Sequence, residues 1–224
     1  MSVTDRHPDR RDRGALDQLV AGAREHDDPG PAANGRLTAL AGVALLIVLA
    51  AEGLTIVGIH RLLAAHVFIG FIVVGVVAVK LASTSYRFFR YYTGDPRFGQ
   101  AGPPRPLLRV LAPLLIVLTL VVLGSGIGLL ATHPGRSSTL VTIHKASFIL
   151  WFVVTTVHVL AYALRSLVWS AAEVTGRGSA AVLAGRRRRF LALLGGLVVG
   201  LGLAVATAGW AHPWIVWFSN RAGH

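Results

Sequence analysis

Long apolar runs separated by short polar joints dominate the chain. They cover residues about 37–59, 62–82, 107–131, 139–164 and 190–211. Each holds roughly the 20 residues needed to cross ~30 Å of hydrocarbon at ~1.5 Å per residue. In lipid only a helix or a closed barrel satisfies every backbone amide, and these runs lack the alternation of barrel strands. The pattern predicts five transmembrane helices. Residues 1–36 are rich in Arg, Asp, Pro and Gly, carry no apolar period, and read as a disordered tail.

The joints differ. The first two helices meet in a tight turn near His60 and Arg61, and the third and fourth meet through residues 132–138, which contain Pro-Gly. The second helix is expected to continue through the aromatic and basic residues 86–92 and to break at Gly94 and Pro96. Trp210, Trp214 and Trp217 at the end of the last run suit an interfacial aromatic belt. Gly195, Gly196, Gly200, Gly202 and Gly209 in the fifth run suit close helix packing, within one bundle or between copies in an oligomer.

Composition supports the membrane reading. The chain is 54% hydrophobic and 14% charged, against roughly 25% charged in an average soluble domain. A net charge of +12 would suit nucleic acid. However, the cations lie between apolar runs and not on a polar face, so topology accounts for them and nucleic-acid binding is excluded. Eighteen of the 22 Lys and Arg residues fall on one side of a five-span arrangement, in the tail, the second joint and the fourth. Only Arg61, Arg136, Lys145 and Arg221 fall on the other. The positive-inside rule then puts the N-terminus in the cytoplasm and the C-terminus outside a bacterial inner membrane. No secretory signal is evident, because the chain begins with a polar stretch and the first apolar run exceeds a signal core.

The chain has no Cys, and Met1 is its only Met. Thiolate and thioether ligands are therefore not available to a metal or haem, and the nine histidines carry that burden. Three of them, His66, His144 and His158, lie within apolar runs, where ionisable side chains point to function. His66 and His144 each sit about five residues into helices that run in the same direction, so they share a depth. Two imidazoles at one depth suit the two faces of a haem iron. His158 follows His144 by 14 residues, which returns it to the same helix face ~21 Å away, the spacing of a second, stacked haem. Gly70, one turn beyond His66, and Gly126 within the run 124–128 leave room beside a flat ring. Arg61 and Lys145 can pair with propionates, and Glu52 is a candidate proton relay. Thr155 and Thr156 are expected to bond their own backbone, as Thr in helices often does.

The segments HVFIGF at 66–71, GSGIG at 124–128, HKASF at 144–148 and HVLAYAL at 158–164 resemble the bacterial four-helix cytochrome b superfamily. That group includes the prokaryotic cytochrome b561 type and the cytochrome b subunits of formate dehydrogenases and nickel–iron hydrogenases. The resemblance spans roughly residues 37–170 and implies b-type haems that carry electrons between a quinone and a partner subunit. It assigns His66, His144 and His158 to ligand positions. The family's further His on the first helix is missing from residues 36–43 here, and Lys80 is the second-helix residue at the depth of His158.

The expected protein is thus an all-α integral membrane protein, a four-helix haem-binding bundle plus a fifth transmembrane helix. Its expected divisions are a tail 1–36, a core 37–170, a basic linker 171–189 and a last span with external tail 190–224. The first function is electron transfer with one haem b, or two, and quinone, as the redox subunit of a larger oxidoreductase and not as a stand-alone enzyme. A proton or ion carrier using His and Glu, and a cofactor-free anchor of a complex, are the alternatives.

Overall fold

The computed structural model describes residues 29–99 and 106–222. Most of the expected tail, residues 1–28, and the cation Arg105 lie outside the described residues. Five helices are long and apolar enough to cross a membrane. They are α1 (Pro29–Val57), α2 (Ile59–Tyr92), α3 (Pro106–Leu130), α4 (Ser138–Thr175) and α5 (Arg186–Ala206). A short helix, α6 (His212–Ala222), follows a 3₁₀ turn at Ala208–Ala211. No strand occurs among the described residues.

The joints follow from local chemistry. Gly58 alone separates α1 from α2, and its carbonyl accepts from the Arg61 and Leu62 amides at 2.9 Å each. Gly94 ends the α2 extension at φ +80°, a left-handed backbone that favours Gly. The chain then folds back through a single helical turn, Pro96–Gly99, which buries Phe98 against Tyr86. Pro134–Arg136 forms a 3₁₀ turn between α3 and α4, closed by Ser137 Oγ donating to Thr132 Oγ1 at 2.8 Å.

Helix ends depart from the hydropathy boundaries at the arginine-rich end. Residues 29–36, expected within the disordered tail, are the first two turns of α1. Likewise α4 continues to Thr175, and residues 180–183 form another turn, so most of the expected basic linker 171–189 is helical. The physical reason is a buried charge cluster. Glu173 is 0% exposed and accepts from Arg36 Nη1 at 3.1 Å and Arg189 Nε at 2.7 Å. Arg189 also donates through Nη2 to the Val182 carbonyl at 2.8 Å. One carboxylate thereby ties α1, α4 and α5 together. Trp169 of α4 packs on Gly35, and Ser83 of α2 bonds Thr38 and Asn34 of α1.

The helices are packed in the order α5, α2, α1, α4, α3. α5 lies outside the other four, mainly on α2, where Gly75 meets Gly196 and Gly200 at backbone contact. A Cβ on Gly200 would approach the Ile72 Cα to 2.9 Å. This is the packing expected of small residues in lipid. A Cβ on Gly195, Gly202 or Gly209 would meet nothing within 4 Å. The remaining four helices form an open ring, because α2 and α3 are not packed on each other.

Candidate functional site

A cavity of about 420 Å³ runs inside this ring and is lined by all four helices. Its walls are overwhelmingly apolar, and its polar groups collect at two levels. Near the end opposite the arginines stand Glu52, His66, His144 and Lys145. Toward the arginine-rich end stand Lys80, Thr155, His158 and Tyr162.

At the first level the two histidines face each other across the cavity. Their ring centroids are 6.4 Å apart and their planes 84° apart. Each Nδ1 is held from behind in the same way. Thr55 Oγ1 donates its proton to the Glu52 carbonyl at 2.5 Å, so toward His66 Nδ1, 2.9 Å away, its oxygen can only accept. The Glu52 carboxylate adds a second acceptor 3.0 Å from the same nitrogen. On the other wall, Ser125 Oγ donates to the Val122 carbonyl at 3.1 Å and offers its lone pair to His144 Nδ1, also 3.1 Å away. The Val122 carbonyl, 3.1 Å from that nitrogen, can act only as an acceptor. A neutral imidazole at either position therefore carries its proton on Nδ1, and neither Nε2 takes a hydrogen bond among the described residues. A second acceptor bond at the distal nitrogen is how proteins orient a ligating histidine and raise its basicity.

The separation itself carries information. A metal–imidazole bond is about 2 Å, so two trans imidazoles on one metal put their ring centroids about 6.3 Å apart. No group of three or more His, Asp or Glu among the described residues is arranged to hold a bare metal ion. Two nitrogen donors on opposite walls of an apolar cavity instead fit a metal that brings its other ligands in a macrocycle.

Other expected residues are placed as follows. Gly126 packs under His144, and a Cβ there would lie 3.1 Å from Cε1, so a side chain would press on the ring. Gly70 makes room for Glu52, whose Oε1 lies 3.4 Å from its Cβ position. Lys145 is exposed and lines the cavity, whereas Arg61 is exposed on the turn and does not line it. His158 lines the cavity, but no second imidazole among the described residues faces it. Lys80 instead folds over Gly42 and donates to the Thr38 carbonyl at 2.7 Å, which closes the space beside α1. His158 Nδ1 is buried without a hydrogen bond. So is Thr155 Oγ1, contrary to the expectation that it bonds its own backbone; Thr156 does so, to the Phe152 carbonyl at 2.8 Å.

Five side chains have roles that sequence reading missed. Thr55 and Ser125 support the histidines, and the signal for Thr55 was its position three residues after Glu52. Trp214, expected in an interfacial belt, lines the cavity together with Phe218. Trp151 donates to Thr119 Oγ1 at 2.9 Å and fixes α3 to α4. No protein-family model matches the chain, and no curated protein or solved structure matches it either.

Proposed function

We propose that this protein is a membrane-embedded b-type cytochrome that holds one haem between His66 and His144 and passes electrons between a quinone and a partner redox protein. One observation carries the reading: the facing imidazoles, 6.4 Å apart, each with its Nδ1 proton fixed by a hydroxyl and a stronger acceptor behind it. When bound, haem supplies one-electron chemistry at its iron. The chain's own residues do the rest. Thr55 and Glu52 on one wall, with Ser125 and Val122 on the other, hold the imidazoles to a single tautomer and orientation. Apolar walls keep water from the site and lower the local dielectric around an iron that the two imidazoles would hold.

The rest of the cavity suits a lipid-soluble carrier such as a quinone, with Thr155 and His158 as free hydrogen-bonding groups beyond the haem level. A second haem is not part of the proposal, since Lys80 occupies the side from which an opposing ligand would come. The arginine-rich end, with Arg36, Arg177 and 186–189, is assigned to the cytoplasm by the positive-inside rule.

The test is a visible spectrum of the purified protein, oxidised and then reduced with dithionite. A reversible low-spin b-type spectrum is expected at one haem per chain, lost in His66→Ala and in His144→Ala and retained in His158→Ala. Colourless protein from cells with ample haem overturns the proposal.

A further inference from the structure

The ring of four helices is open on one side, and one element spans the opening. α3 packs on α4 alone among the spans, so nothing joins it to α2 along the bundle's length. At the end opposite the arginines, α6 lies across this slot. It packs on α2 and on the turn Pro134–Arg136 that follows α3. Trp214 is 7% exposed and its Nε1 donates to the Leu129 carbonyl, in the last turn of α3, at 2.8 Å. Phe218 sets its ring 4.9 Å from His60 at the start of α2. Both Trp214 and Phe218 line the cavity beside Ile59, Leu63 and Leu130.

We infer that α6 is a strap that seals the cavity's aqueous mouth and leaves the slot between α2 and α3 as the way in, so that the site exchanges with molecules dissolved in the bilayer and not with polar solutes. The chemistry of the walls agrees. The cavity wall on these two helices includes Leu63, Val67 and Val74 of α2 and Leu123 and Ile127 of α3, and a polar solute entering between them would leave its hydrogen bonds with water behind. A hydrophobic ligand would lose none. The mouth, by contrast, is filled by two aromatic rings, one of which is pinned by a hydrogen bond. This inference does not depend on which cofactor the histidines hold.

The absence of Cys gives a clean test. Leu63→Cys places a thiol in the cavity wall one turn from His66, and the full chain is reconstituted in lipid nanodiscs, which expose both membrane faces. A charged, membrane-impermeant maleimide is expected to label it at least 10-fold more slowly than an uncharged, lipid-soluble maleimide, each relative to a free thiol. Adding Trp214→Ala is expected to raise labelling by the charged reagent about 10-fold and to leave the uncharged one unchanged. Phe218→Ala, which keeps the Trp214 hydrogen bond, should give an intermediate rise and guards against a Trp214→Ala chain that fails to fold. Rapid labelling of Leu63→Cys by the charged reagent with the strap intact overturns the seal. Failure of the uncharged reagent to label overturns the entry from lipid.

Discussion

Thr55 and Ser125 do the same job on opposite walls, and each does it by spending its proton on its own helix. The hydroxyl that returns its hydrogen to a carbonyl three residues earlier has only lone pairs left for a neighbour, and in both cases the neighbour is an imidazole Nδ1. Thr55→Val and Ser125→Ala remove these acceptors with little change of volume. Loss of such outer support lowers metal affinity about 10- to 100-fold. Retention of the proposed haem during dilution should fall by that order in each, with less effect from Thr156→Val, whose hydroxyl bonds the Phe152 carbonyl of its own helix. The depth match of His66 and His144 was legible from counting residues along parallel helices. Their supports were not, because a Thr or Ser in a helix looks the same whether its lone pairs meet lipid or a histidine. Thr155 shows the opposite failure: its expected backbone bond is missing.

Helices ended where charge was satisfied, not where apolarity stopped. Hydropathy ended the fourth span at 164, yet α4 runs to Thr175 because Glu173 is held by two guanidinium groups. The same cluster winds α1 back to Pro29. Removing one partner of a buried ion pair costs about 3–5 kcal/mol, since the remaining charge has no counterpart. Glu173→Gln should therefore lower the midpoint of thermal unfolding in detergent markedly, and a lone surface change such as Arg188→Gln should leave it nearly unchanged. The α2–α5 crossing gives a second comparison. Gly200→Val would drive a side chain into the Ile72 backbone, and overpacking of this sort costs about 1–3 kcal/mol. Gly195→Ala points into open space and should stay within about 0.5 kcal/mol of the parent. Sequence placed five glycines on the fifth helix, but Gly209 falls in the 3₁₀ turn beyond it; which of the other four met another backbone was a matter of helix rotation that composition does not encode.

Five helices long and apolar enough to cross a membrane were readable from the apolar runs, and the distribution of arginines predicts which end faces the cytoplasm. A reporter enzyme that works only outside the cytoplasm should be active when fused after Arg221 and inactive when fused in the joint 100–105. The order of packing was not readable. Apolar side chains facing lipid and those facing a neighbour obey the same hydropathy, so nothing along the chain announced that α2 and α3 stand apart or that residues 212–222 return to bridge them. That bridge follows all five spans along the chain and is therefore synthesised after them. Until it emerges, the ring remains open at its mouth as well as along its side. The order of synthesis thus provides an interval in which a ligand can enter, and α6 closes the vessel behind it.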